Sequence, residues 1–111
     1  MTHSELTVLL AERVMRWSVG PGRYLMANRR WIPAWRFQPL RNLKDAFRLL
    51  DAAATTFALT LTADGKFGAK VRVGNRSGSA KGKSKPAVIT VAIARAIGLD
   101  VPHGALERER P

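Results

Sequence analysis

Two runs of alternating residues, Phe57-Ala58-Leu59-Thr60-Leu61 and Phe67-Gly68-Ala69-Lys70-Val71-Arg72-Val73, flank the segment Ala63-Asp64-Gly65. Apolar side chains at every second position suit a pleated strand with one buried face, and Asp-Gly between two such runs is a turn signal. The pattern predicts a β-hairpin, and charge fixes its register. A two-residue loop at Asp64-Gly65 pairs Leu59 with Lys70 and puts an ammonium group among apolar side chains. A three-residue loop instead sets Leu61 opposite Phe67, Leu59 opposite Ala69 and Phe57 opposite Val71, with Gly65 left-handed in a bulge. The other face then carries Ala58, Thr60, Gly68, Lys70 and Arg72, a small and basic surface that is thinly covered or meets a ligand.

Helical periodicity marks three further segments. Thr2 and Glu5 have capping-box spacing, and Leu6, Leu10, Val14 and Trp17 follow on one face, predicting a helix over about 4–17 that Gly20-Pro21-Gly22 ends. Asn42 is a natural N-cap for a second helix to about Ala53, with Leu43, Ala46, Phe47 and Leu50 on its apolar side. Pro86 opens a third, in which Ile89, Ala92, Ile93, Ala96 and Ile97 form an apolar stripe and Gly98 is a left-handed stop. Between the first two helices an edge strand is expected near Tyr24 to Ile32, followed by an ordered loop. The order α-β-α-β-β-α describes an α+β fold, a small antiparallel sheet sandwiched by helices, in a single domain over 1–102 with a polar, disordered tail over 103–111.

The 111 residues carry a formal net charge of +11, extreme for one domain, and no acid occurs from Arg13 to Lys44 or from Gly65 to Leu99. Such a balance favours polyanionic partners and leaves few carboxylates for acid/base chemistry. Cysteine is absent, excluding disulfides and thiolate metal sites. No stretch has the length of a transmembrane helix, and the first residues lack the basic and apolar regions of a signal peptide, so a cytoplasmic protein is expected.

Five pieces in order, Leu10-Ala11-Glu12-Arg13-Val14-Met15-Arg16-Trp17, Trp31-Ile32-Pro33, Arg41-Asn42-Leu43-Lys44-Asp45-Ala46-Phe47, the Phe57–Val73 hairpin and the Pro86–Gly98 helix, resemble the phage ABA-sandwich domain family. Arg16 stands where that pattern usually has glycine, and Phe47 where it has tryptophan. The resemblance implies a helix/sheet/helix layering and a bacteriophage or prophage origin, hence a host bacterial cytoplasm, and brings no catalytic residues. A second resemblance, of Gly74 to Ala92, is to the C-terminal half of a double-stranded RNA-binding domain, where a glycine-rich turn and lysines open the last helix. That family implies phosphate clamping by shape. Pro86 among the helix-opening residues and the count of two strands after helix two depart from it.

Gly74 to Lys85 reads as a glycine-, serine- and lysine-rich loop leading into a helix N-terminus, the parts of an anion cradle. Its expected phosphate ligands are Arg76, Lys81, Lys83, Ser84, Lys85 and the N–H groups near Ala87 and Val88, flanked by Lys70 and Arg72. The spacing from Gly78 to Gly82 is one short of a P-loop, which argues against an NTPase. Arg29, Arg30, Trp31, Trp35 and Arg36 form a secondary basic-aromatic patch; its bland alternative has Trp31, Trp35 and Phe37 covering the sheet or an interface with the arginines outward. Asp45 and Asp51 are expected on the solvated side of helix two. No catalytic set, metal cluster or cofactor motif is present. The expectation is a non-enzymatic phage accessory protein that binds nucleic acid or a nucleotide, plausibly against host defence. A dsRNA-binding module and an inhibitor of a CRISPR or other nuclease complex are the alternatives, and a homodimer would steady so small a sheet.

Overall fold

The computed structural model describes residues 2–54, 56–99 and 101 of the chain, so the polar tail from His103 lies outside the described residues. Three helices, α1 (His3–Arg13), α2 (Leu43–Ala53) and α3 (Lys85–Ala96), accompany six strands in two antiparallel sheets. The first sheet is a meander of β1 (Ser18–Gly20), β2 (Arg23–Leu25) and β3 (Trp31–Pro33). The second is β4 (Thr56–Leu61), β5 (Phe67–Val73) and β6 (Arg76–Gly82), in that order. The α+β class and the packing of a helix on a sheet stand, with three more strands than the sequence pattern suggests.

The hairpin register is the one that charge selects: Leu61 faces Phe67, Leu59 faces Ala69 and Phe57 faces Val71. Thr62 N–H donates to Lys66 O at 2.8 Å, Gly65 N–H to Thr62 O at 3.0 Å, and Gly65 has φ +80°. The same loop recurs between β2 and β3, where Met26 N–H donates to Arg30 O at 2.9 Å and Arg29 N–H to Met26 O at 3.0 Å. There Arg29 takes the left-handed position at φ 64°.

Three expectations are corrected. The stretch from Arg76 to Gly82 is a strand, not a loop: Gly74-Asn75 closes a two-residue hairpin that pairs Val73 with Arg76. Gly20-Pro21-Gly22 does not merely stop a helix; it turns β1 into β2, pairing Gly20 with Arg23, with Gly22 at φ +65°. Helix α1 ends at Arg13, short of Trp17: Arg16 adopts φ 61° and Trp17 N–H returns to Ala11 O at 3.0 Å, a left-handed stop one residue wider than a Schellman motif. That turn drives Trp17 into the interior, where its ring lies 4.9 Å from Phe37 and 5.9 Å from Tyr24. Burial, then the charge of Glu12, pushes the Tyr24 phenol above its ordinary pKa.

Helix α3 is the centre of the fold. Ile89, Ala92, Ile93, Ala94 and Ala96 are fully buried between α2 and the β5–β6 half of the second sheet. Buried Thr90 donates its hydroxyl to Pro39 O at 2.8 Å, tying the segment before α2 to this helix. The seam with β6 admits no side chain at Gly78, where a Cβ would fall inside van der Waals contact with the α3 backbone at Ala92 O and Ala96 N.

Gly78→Ala is expected to destabilise the protein by about 3 kcal/mol, since neither backbone can yield cheaply. Gly68→Ala, whose Cβ would meet only the Thr60 hydroxyl at 2.6 Å, should cost far less. Urea denaturation of the two variants side by side checks this. By the same method Arg16→Gly should stabilise by about 1 kcal/mol, because glycine adopts the left-handed stop without steric cost.

Candidate polyanion-binding face

Strand alternation sorts the second sheet into two surfaces. Residues 57, 59, 61, 67, 69, 71, 73, 78 and 80 point toward α3, and Thr56, Ala58, Thr60, Gly68, Lys70, Arg72, Ser77, Ser79 and Lys81 point the other way. Of the second set every residue with a side chain is exposed, so no element of the described chain covers this face. Its floor is small and hydroxyl-bearing, and its cations are Lys70, Arg72 and Lys81. Lys70 and Arg72 are two residues apart on β5, about 7 Å. Lys81 sits opposite Gly68, diagonal to Lys70.

Arg95 adds a fourth cation from α3. Its Nη1 donates to Ser79 O at 2.7 Å, and its Nε and Nη2 donate to Val101 O at 3.1 and 2.9 Å. The side chain thereby reaches across the outer edge of β6. Two open depressions, of about 690 and 450 Å³, share Ala58, Lys70, Ser79 and Arg95 among their lining residues. None of the residues lining either one is acidic. Small side chains let an extended ligand lie close to the strands, and the flanking ammonium and guanidinium groups supply the field that phosphates need. An open face of this shape suits a polymer better than an enclosed mononucleotide.

The structure divides the cradle predicted from sequence. Lys70, Arg72 and Lys81 come together on the bare face, with Arg72 Nε also donating to Gly74 O at 3.2 Å. Arg76 lies on the other side, its Nη1 2.5 Å from where a Cβ on Gly98 would be, at the C-terminal end of α3. A guanidinium there complements the helix dipole. Lys85 also leaves the group, its Nζ 5.9 Å from the centre of the Phe67 ring on the helix side. Lys83 is exposed in the bend between β6 and α3.

Ser84 is the N-cap of α3, its Oγ accepting from Ala87 N–H at 3.4 Å while its carbonyl accepts from Val88 N–H at 2.9 Å. The two N–H groups expected to hold phosphate are therefore taken up inside the helix start. Ser77, Ser79, Thr56 and Arg95 were not legible as members of the face. Gly74-Asn75 between Val73 and Arg76, a two-residue hairpin signal, is the feature that would have revealed β6.

The basic-aromatic patch also divides. Phe37 is core, Trp31 is 46% exposed with its ring lying against Gly20 of β1, and Trp35 is 70% exposed. Arg23 stacks on Trp31 at 4.0 Å and Arg36 lies 5.7 Å from the Trp35 ring centre, while Arg29 and Arg30 occupy the β2–β3 tip. Asp45 is buried on α2 and accepts from Gln38 N–H at 2.9 Å, which corrects its expected solvated position.

No protein-family model matches the chain, and no curated protein matches it in sequence. Among solved structures it is similar to a phage protein from Bacillus cereus ATCC 14579, known from a 2.0 Å crystal structure, with a TM-score of 0.73 and 13% identity. The match covers 92% of this chain and 93% of that one, so the whole architecture is shared. At that identity the likeness concerns fold. No helix among the described residues is long and apolar enough to cross a membrane.

Ser84→Ala should lower stability by about 1 kcal/mol through loss of the cap. The same variant should leave phosphate-polymer affinity unchanged, and a titration with a short duplex beside a urea melt tests both expectations.

Proposed function

We propose that the bare face of the second sheet is a binding surface for a phosphate-bearing polymer, nucleic acid above all, in a non-enzymatic accessory protein of a phage. The observation that carries this reading is a sheet face that no element among the described residues covers, floored by Ala58, Thr60, Gly68, Ser77 and Ser79 and edged by Lys70, Arg72, Lys81 and Arg95. A solvated sheet face needs no such segregation of cations from acids. Recognition works by charge and shape: the cations contact phosphates and the hydroxyls add neutral hydrogen bonds. Phage origin rests on the shared fold, and a role against host defence is part of the proposal.

A double-stranded RNA-binding reading gains one specific support, since α2-β4-β5-β6-α3 supplies the α-β-β-β-α order with three strands. It also loses one, because the helix-opening cations are reduced to Lys83 and Lys85, and Lys85 lies over Phe67. Inhibition of a host nuclease complex would use the same basic face against an acidic protein surface. A partner that stays bound after nuclease treatment would favour that reading over nucleic acid.

Duplex binding followed by fluorescence anisotropy across a salt series tests the proposal. Combining Lys70→Ala, Arg72→Ala and Lys81→Ala should flatten the slope of log K against log salt by about 2.7, the loss of three phosphate contacts. Combining Arg76→Ala and Lys85→Ala should leave the slope nearly unchanged. Effects from the two sets in proportion to the charges each removes would show that bulk charge alone drives binding and would sink the assignment to this face.

A further inference from the structure

The two edges of the second sheet are treated differently. Along β6 the outward carbonyl of Ser79 is occupied by Arg95, and Arg76 and Lys81 place charges on the strand. A charged and blocked edge resists pairing with another strand. Strand β4, Thr56-Phe57-Ala58-Leu59-Thr60-Leu61, carries no charge, no proline and no glycine in a chain that is 24% charged. On its α3 side Phe57 is 50% and Leu61 67% exposed, because α3 covers β5 and β6 and stops short of β4. A six-residue strand of this composition, uncovered among the described residues, is a template for pairing.

The backbone specifies how it pairs. The Thr62 N–H to Lys66 O bond makes that pair hydrogen-bonded, so by antiparallel alternation residues 56, 58 and 60 point their backbone groups at β5. Phe57, Leu59 and Leu61 therefore point theirs outward. These are the same three residues whose side chains lie on the apolar face.

We propose that β4 pairs antiparallel with β4 of a second copy about a two-fold axis at Leu59, joining two three-stranded sheets into one of six strands. This register sets Leu59 against its own counterpart and Phe57 against Leu61, using every outward N–H and C=O of the three residues. Ala58 then faces Thr60 on the other surface. The blocked β6 edge excludes head-to-tail addition, so the assembly closes as a dimer.

The proposal rests on the polyanion reading only for its consequence. The bare faces of the two copies become one, with the Lys70–Arg72 rows about 14 Å apart across a floor of small residues, three strand spacings. Each copy thus supplies half of a continuous basic surface. The strand edges and four half-exposed side chains amount to on the order of 1,000 Å² of total buried area, the class of weak and reversible interfaces. The dimer is therefore concentration-dependent, and a polymer spanning both halves strengthens it by linkage.

Sedimentation velocity without nucleic acid, over a wide range of protein concentration, tests the pairing. The unaltered protein should shift from monomer to dimer. Combining Phe57→Lys with Leu61→Lys places like charges opposite each other and should hold the protein monomeric. Combining Phe57→Lys with Leu61→Glu places opposite charges across the axis and should restore the dimer, which a merely misfolded variant would not do. A protein that stays monomeric at every concentration, or a doubly lysine-substituted variant that still dimerises, overturns the proposal. In the anisotropy assay the dimer should show about twice the salt slope of a monomeric variant carrying the same net charge. Dimerisation with no duplex binding at all would leave the pairing intact and remove the polyanion reading instead.

Discussion

Backbone-to-backbone contact between α3 and β6 at Gly78 is the constraint on which the rest of this molecule depends. For the helix to come so close, the strand and helix positions that meet at the crossing must be small; Gly78, Ala80 and Ala69 on the strands and Ala92 and Ala96 on the helix satisfy this. Close approach there replaces side-chain volume with direct backbone packing, and larger buried residues such as Val71, Ile89 and Ile93 fill the space around it. It also centres the helix over β5 and β6. Everything beyond its reach, including the apolar side of β4, is left for something else to cover.

The same contact explains which parts of the fold were legible in the sequence. The β4–β5 hairpin announces itself because its inward residues are large and apolar, and Lys70 penalises the wrong register. Strand β6 announces nothing, because Gly78, Ala80 and Gly82 carry no strand signal, and its outward serines and lysine complete the appearance of a loop. Propensity yields here to a tertiary requirement for room. The meander over 18–33 is obscured for another reason: its strands are three residues long, too short for alternation to register, and one of its left-handed backbone positions belongs to Arg29 instead of glycine.

The candidate site was half visible. Lys70 and Arg72 follow from the hairpin register alone, and Lys81 joins them once β6 exists. Arg76 and Lys85 are close to Lys81 in sequence yet lie on the other side of the sheet from those three, Arg76 because a strand turns alternate residues away from each other and Lys85 because it opens α3 on the helix side. A run of cations in sequence is a single patch only when it remains a loop. Ser84 likewise belongs to the helix start, where its hydroxyl completes α3 instead of waiting for a ligand.

Alternation has one more consequence for this sheet. On the side facing α3, the fit at Gly78 is so tight that one added methyl is expected to disrupt it, whereas the side chains on the reverse are exposed. Stability and the proposed recognition therefore fall on separate, interleaved positions of the same strands. A lineage carrying this fold can exchange the exposed side chains of the reverse face at little cost in folding free energy. Fold shared across most of the chain at 13% identity is what such a division permits.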